Sequence, residues 1–509
     1  MSISIYDVLL NGTMKKKLDK TNLRTNLDSR KIKARSGNIV VDLDGTLVMT
    51  DTLLECFFLF LKYQPHRLLI LFIYLFRGKA ALKTFLARSI RGLINFKTLP
   101  YHPPLLSWLR AQKKQGAKIY LATAAHIDIA NGVASHLQLF DGIFATQKTN
   151  LNGNAKRDCL IKVFGKGGYE YIGNSKEDIP VWGSASKVYV ANPEFGVLSG
   201  VRRTKNPVIV FEGRSTYFFN LFKLLRLHQW AKNGLIFLPL FAAHRFYDTD
   251  LLFGSVVAFL TFGMCASSAY IMNDFFDIQD DRRHRTKYLR PIASGQVSIL
   301  HACVFMVLLL ATSFYIAGLF LPKLYSLTLF IYFMLTLSYS FYIKRVAIFD
   351  VITLTVLYII RVVAGGYAAG LGTTFWMLLF CMFIFLSLAF LKRYTELHSQ
   401  IKKGQSSKIL GRGYYPTDFE LLASLGGASG FISVLVLALY INDPASTSLY
   451  RHPEWMWLTC PLLVLWMSRS WLLAHRGEMH DDPVIFALKD KLSQGMTILF
   501  ILSFVLASI

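Results

Sequence analysis

The chain has 509 residues, more than one ordinary domain holds, and 53% of them are hydrophobic against 17% charged, which excludes a wholly water-soluble protein. The formal net charge of +25 points to anionic partners. Because most charges of the apolar half lie between apolar runs, membrane lipids and phosphorylated substrates fit that charge better than nucleic acid. The six cysteines, Cys56, Cys159, Cys265, Cys303, Cys381 and Cys460, have neither zinc-site spacing nor the pattern of a disulfide framework.

Residues 1–36 read as a basic flexible arm, with Lys15, Lys16, Lys17, Lys20 and Arg24 among its cations and no apolar stretch of the kind a cleavable signal carries. The arm is either simply solvated or touches an anionic inner leaflet. From residue 37 to 205, short runs rich in β-formers (Ile39–Val41, Lys118–Leu121, Tyr169–Ile172 and Lys187–Val190) alternate with helical patterns, which predicts a parallel α/β sheet. Residues 52–98 predict a helical insertion after the first strand. Its Leu68–Phe76 run is too short to cross a bilayer, and reads as helix core or as a helix pair resting on the membrane.

Within this region Val40-Val41-Asp42-Leu43-Asp44-Gly45-Thr46 puts two aspartates just past a strand, where α/β sites form. DxDGT in this setting resembles the haloacid-dehalogenase (HAD) phosphohydrolases over about residues 38–200, with 52–98 as the cap. The resemblance implies Asp42 as nucleophile, Asp44 as acid/base, Thr123 and Lys156 as phosphate-binding groups, and a Mg²⁺ held by Asp42, Asp44 and the Gly173–Asp178 segment. That segment departs from the pattern, because Asn174 stands where an aspartate usually binds the metal; Asp178 is the carboxylate at hand to offset the lost charge. Two readings follow, a working phosphatase and an inert scaffold.

After a linker at 206–216, apolar spans are predicted at about 225–243, 251–272, 299–320, 325–342, 349–370, 374–391, 419–441, 455–474 and 493–508, an all-α bundle of about nine transmembrane helices over 217–509. Basic residues crowd the loops after spans two, four, six and eight, among them Arg282, Lys344, Lys392 and Arg476. The positive-inside rule makes those loops, and the soluble domain with them, cytoplasmic at a bacterial inner membrane.

Span two closes on Asn273-Asp274-Phe275-Phe276-Asp277-Ile278-Gln279-Asp280-Asp281. Asn273, Asp277 and Asp281 are spaced four apart, so a continuous helix would stack them on one face. Carboxylates so placed at a membrane edge repel one another, and a hard divalent cation such as Mg²⁺ removes the cost. Lys287 and Arg290 follow, and the other basic loops add Tyr339 and Lys344, then Asp350 and Arg361, then Lys392 and Arg393. Lys232 lies in span one. Topology alone requires no carboxylates there, so the set reads as a site rather than as solvated loops.

NDFFDIQDDRRH followed by RPIASG resembles the first aspartate-rich motif of UbiA-type membrane transferases. With His228–Asn233, Lys392-Arg393-Tyr394 and Arg476–Pro483, it is similar to the decaprenyl-phosphate phosphoribosyltransferase branch. Many relatives carry a second DxxxD before span five; here Leu354 takes the place of its second acid and leaves Asp350 alone. The resemblance implies transfer of 5-phosphoribose from 5-phosphoribosyl diphosphate (PRPP) to a polyprenyl phosphate, with release of diphosphate. Asn273, Asp274, Asp277, Asp281 and Asp350 would serve Mg²⁺. Lys232, Asn273, Lys287, Arg290, Tyr339, Lys344, Arg361, Lys392 and Arg393 would bind substrate phosphates. It further implies a lipid-linked sugar for cell-envelope polysaccharide and allows a homo-oligomer. The HAD-like domain would then remove the product's 5-phosphate. The alternatives are prenylation of an aromatic or other acceptor by a prenyl diphosphate and, more distantly, lipid-phosphate transport, which would place polar groups at the midplane rather than at one edge.

Overall fold

The computed structural model describes residues 37–204, 207–212, 217–402, 412–444, 450–479 and 482–509; the basic arm, part of the linker and part of the loop after span six lie outside them. The soluble part is a six-stranded parallel sheet of β1 (Asn38–Val41), β2 (Lys118–His126), β3 (Gly142–Thr146), β4 (Tyr169–Gly173), β5 (Val188–Ala191) and β6 (Ile209–Phe211), in the order 3-2-1-4-5-6. Its inner strands are Val- and Ile-rich because helices cover both faces, leaving Val40, Val41, Ile119 and Val190 fully buried. β3 and β6 were not anticipated from the sequence. β6 pairs with β5 through Tyr189–Ile209 and Ala191–Phe211, so the sheet extends past residue 205 into the stretch expected to be linker.

The cap is helical, with α1 (Thr52–Tyr63), α2 (Leu68–Phe76) and α3 (Lys79–Ser89). Asp51 caps α1 by accepting the Leu54 amide at 3.0 Å. Between α1 and α2 the chain bends by 110°, at a 3₁₀ turn opened by Pro65. Much of α2 is exposed, including Leu69, Phe72 and Phe76.

The membrane part is a helical bundle of α4 (Thr249–Phe276), a short α5 (Ile278–Arg283), α6 (Ile299–Phe320), α7 (Lys323–Phe341), α8 (Phe349–Ala368), α9 (Phe375–Ile401), α10 (Phe419–Asn442), α11 (Thr459–Arg476) and α12 (Lys491–Ser508). Among the described residues eight helices are long and apolar enough to cross a membrane, or nine if the bent α1–α2 pair is one span. The first expected span, 225–243, is not one of the eight. It forms a 3₁₀ run (Leu227–Phe237) and a five-residue helix (Leu238–Ala242). Pro239 removes a helix donor, and the segment is pressed against α8 so closely that a Cβ on Gly365 would run into the Ile236 backbone.

The soluble and membrane parts share a packed contact. Phe58 of α1 stacks on Phe275 at the end of α4, with centroids 4.4 Å apart. Glu55 and Arg282, each 2% exposed or less in its side chain, pair at 2.6 Å.

Candidate functional site

In the soluble domain, β1 ends beside both β2 and β4, with Val41 paired to Leu121 and to Ile172. Parallel strands bring the residues just past these pairs to one edge, at the point where the strand order reverses and α/β sheets bind ligands. There Lys156 Nζ lies 2.9 Å from Asp42 Oδ1, 3.0 Å from the Tyr171 hydroxyl and 3.5 Å from Asp178 Oδ1. The Thr52 amide, at the start of α1, donates to Asp44 Oδ1 at 2.9 Å. Thr46 donates to Asn174 Oδ1 at 3.2 Å. Gly45 has φ +72°, and a Cβ there would collide with the Asn174 amide, which is why the turn after DxD is glycine. Thr123 lies inside β2, before a bulge that runs to His126, and its hydroxyl accepts the Ala125 amide at 2.9 Å.

Asp178 is placed behind this edge. One oxygen accepts the Asn174 and Ser175 amides at 3.0 and 3.2 Å, and the other the Tyr171 hydroxyl at 2.7 Å. Burial, partly offset by Lys156, raises the Asp42 carboxyl to about 6. Burial and the charge of Asp51 raise Asp44 to about 7, a value suited to proton transfer near neutrality. Lys83 of the cap, which the sequence did not single out, donates to the Ala124 carbonyl at 2.6 Å and to Asn150 at 2.7 Å, closing one side of the site.

In the membrane domain the expected stack of acids is divided. α4 stops at Phe276 and Asp277 is the joint with α5, so the acids no longer follow one straight helical face. A cavity of about 320 Å³ opens among α4, α7, α8 and α9. Its walls include Asn273, Asp277, Lys232, Lys287, Arg290, Tyr339, Lys344, Arg361 and Lys392, together with Arg226, Arg412 and Asp482, which were not among the expected site residues. Eight cationic side chains thus face two carboxylates. Lys344 holds Asp277 at 2.8 and 3.0 Å; Lys232 and Lys392 each hold Asp482 at 2.8 Å. Burial raises the Asp277 carboxyl, and Lys344 and Lys62 more than reverse that, leaving it below the usual range.

Asp274 and Asp281 flank the cavity instead of lining it. Arg290 bridges them at 3.0 and 2.6 Å, and Arg226 also pairs with Asp274. A second cavity of about 570 Å³ adjoins the first, shares Arg226, Gln229 and Arg290 with it, and is walled by Phe219, Phe222 and Leu227.

Asp350 and Arg393 were expected on the cavity and are set behind it. Asp350 is fully buried; one oxygen takes Arg393 Nε at 2.6 Å and the other the Tyr414 hydroxyl at 2.6 Å. Arg393 in turn donates to Glu396 at 2.6 Å and to the Tyr339 hydroxyl at 2.7 Å, so the pair braces the wall on which Tyr339 stands. Leu354, by contrast, lines the cavity. Arg361 is buried over the rings of Phe262, Tyr332 and Tyr358 and donates to Asn233 at 3.0 Å, and no described carboxylate pairs with it.

Among the described residues no three His, Cys, Asp or Glu side chains converge as a metal cage. The Asn273 and Asp277 oxygens are a hard donor set that suits Mg²⁺ when the ion's remaining ligands come from water and substrate phosphate.

A multi-pass helical bundle whose polar cavity gathers eight cations around Asp277 and Asp482 has the architecture of a membrane transferase. The sequence comparison agrees: residues 235–502 match the model of the UbiA prenyltransferase family, and the chain belongs to that family. It is 35% identical over 472 residues to the protein y4nM of Sinorhizobium fredii, covering 92% of this chain and 90% of that one. It is 32% identical over 284 residues to the decaprenyl-phosphate phosphoribosyltransferase of Mycobacterium tuberculosis, covering 55% of this chain and 91% of that one. A UbiA homologue of Archaeoglobus fulgidus solved with GPP and Mg²⁺ superposes with a TM-score of 0.41 at 16% identity, over 57% of this chain and all of that one.

Proposed function

We propose that the membrane domain transfers 5-phosphoribose from PRPP to a polyprenyl phosphate such as decaprenyl phosphate, releasing diphosphate. The observation that carries this reading is the cavity's charge, eight cations against two carboxylates. A prenyl diphosphate and a neutral aromatic acceptor bring one cluster of negative charge; PRPP and a lipid phosphate bring three. The mycobacterial phosphoribosyltransferase match supports the same donor.

In this reading Asn273 and Asp277 hold Mg²⁺, which when bound neutralises the leaving diphosphate. Lys344, Lys287 and Arg290 bind phosphate oxygens beside them. Arg361, a buried cation without a carboxylate partner among the described residues, takes a phosphate at the deep end, with Lys232 and Lys392 alongside. The lipid phosphate oxygen attacks the anomeric carbon and the C–O bond to diphosphate breaks. The acceptor is already an anion at neutral pH, so no side chain has to remove a proton. Phe219, Phe222 and Leu227 of the adjoining cavity offer the acceptor's chain an apolar bed, and Arg226 and Arg290 stand between it and the donor.

The soluble domain would then act on the product. Asp42 attacks the phosphorus of the ribose 5-phosphate, Lys156 and Thr123 hold the phosphoryl oxygens, and Asp44 protonates the departing ribose oxygen and then takes a proton from the water that hydrolyses the phosphoaspartate to release phosphate. Asn174 joins Asp42 and Asp44 as an oxygen donor for Mg²⁺, while Asp178 orients Lys156 and the loop. The site lies at the same end of the bundle as Lys344, Lys392 and Arg476, and the positive-inside rule makes that end cytoplasmic at an inner membrane.

Purified protein with PRPP, Mg²⁺ and polyprenyl phosphate should release diphosphate only when both substrates are present. Diphosphate release from geranylgeranyl diphosphate and an aromatic acceptor, with none from PRPP, would replace this reading by prenylation. Incubating the isolated phosphoribosyl lipid with wild-type and Asp42→Asn protein tests the second activity: phosphate release by the first alone supports it, and equal or no release ends it.

A further inference from the structure

The cavity's aspartate is reached from the other domain. Lys62, on the last turn of α1, lies 2.8 Å from Asp280 and 3.4 Å from Asp277 Oδ1, with its side chain 7% exposed. Lys344, on the cavity wall, spans both carboxylate oxygens, Oδ2 at 2.8 Å and Oδ1 at 3.0 Å, whereas Lys62 reaches Oδ1 alone and does not line the cavity. Lys62 is fixed in place because α1 is pinned to the membrane domain by the buried Glu55–Arg282 pair and by Phe58 on Phe275. The mycobacterial match of 284 residues is 91% of that protein's length, which leaves no room there for a counterpart of this domain.

We propose that Lys62 is a positioning residue of the transferase site supplied by the soluble domain, and that with Lys344 it makes divalent-ion binding at Asp277 depend on the phosphate-bearing donor. The proposal rests on the transferase reading given above. Two ammonium groups already neutralise Asp277, so a bare dication arriving there meets repulsion from both. A diphosphate in the cavity changes the balance. It draws Lys344, on the cavity wall, to its own oxygens and uncovers Oδ2. Lys62 stays behind, tied to Asp280, and keeps Oδ1 turned away from the cavity, so the carboxylate offers one oriented oxygen. Donor and metal therefore enter together, and the site does not collect free cation between turnovers.

The test is a titration of the full-length protein with Mn²⁺, followed by the electron paramagnetic resonance signal of the free ion, with and without inorganic pyrophosphate. All samples carry Asp42→Asn and Asp44→Asn, which take the soluble domain's acid pair out of the count. The parent, with Lys62 intact, should retain Mn²⁺ at the membrane site only with pyrophosphate. Lys62→Met should bind Mn²⁺ without pyrophosphate about tenfold more tightly than the parent, since one of two repelling charges is gone. Its KM for PRPP should rise several-fold more than its kcat falls, and Lys62→Arg should restore both properties. Lys62→Met titrations that superimpose on the parent in both arms, from a protein that still transfers phosphoribose, would overturn this proposal alone. A parent that neither transfers phosphoribose nor retains Mn²⁺ with pyrophosphate would overturn the transferase reading and this proposal together.

Discussion

Asp277 and Asp350 are both acids of the membrane domain, but their surroundings assign them different work. Asp277 opens on the cavity, and Asp277→Ala should lower transfer by about a thousandfold or more with little effect on folding, because it removes the carboxylate that in the proposed reading would hold the metal; initial rates together with a thermal-shift curve check both halves. Asp350 is buried against Arg393, and Asp350→Ala leaves Arg393 Nε and the Tyr414 hydroxyl without their acceptor, Glu396 still pairing with the guanidinium, at a cost of about 1–3 kcal/mol. Its thermal midpoint should fall well below that of Asp277→Ala, and an unchanged midpoint with lost activity would return Asp350 to the reacting groups. The soluble site offers a pH test. An aspartate whose pKa is raised by folding contributes stability that is complete below its unfolded value of about 4 and is lost as pH climbs through its folded one. Asp44, at about 7, should therefore weaken the soluble domain between pH 4 and 7 in metal-free buffer. Asp44→Asn should remove that loss, on the order of 2 kcal/mol at pH 8 after discounting for partial exposure. Hydrogen exchange in β1 measures it, and identical pH profiles for variant and wild type would contradict it.

At the scale of elements, some features were legible from local pattern and others depend on contacts that local pattern cannot carry. β1, β4 and β5 are short apolar runs between helices and were read to within a residue or two, and the long spans were evident from length and hydropathy alone. β6 was missed because Ile209–Phe211 is only three residues long, and β3 because Gly142–Thr146 is a half-buried edge strand; both complete the sheet only through their neighbours. The stretch 225–243 is apolar enough to suggest a span, yet Pro239 and the close approach of Gly365 make it a broken segment. That approach is testable: Gly365→Ala should destabilise the bundle by about 1–3 kcal/mol through overpacking, whereas Gly427→Ala, with open space at its Cβ, should not. The NDxxDxxxD spacing located Asn273 and Asp277 but assumed an unbroken helix; the joint at Asp277 sends Asp281 to Arg290 instead. Asp482 and Arg412 lay in loops whose charge was visible, while Lys62 is 215 residues from its partner and no spacing rule reaches it.

The molecule as a whole joins two sites through one short helix. The N-terminal amide of α1 at Thr52 holds Asp44, and its last turn carries Lys62 to Asp277. In the proposed reading effective concentration gives such a union its benefit, since a product released from one site would meet the other before it diffuses along the membrane. The contact relies on Glu55 and Arg282, so Glu55→Ala should expose α1 to hydrogen exchange while leaving β4 and β5 protected; uniform protection would show that the apolar stack of Phe58 and Phe275 suffices. The central claim, that the basic cavity brings a phosphoribosyl donor to a lipid phosphate, is tested most directly by ³¹P nuclear magnetic resonance of the lipid formed by Asp42→Asn protein from PRPP, Mg²⁺ and polyprenyl phosphate. The account predicts one phosphodiester joining lipid to ribose and one phosphomonoester at the ribose 5-position. A lipid that keeps only its original phosphomonoester, while PRPP remains intact, would contradict it.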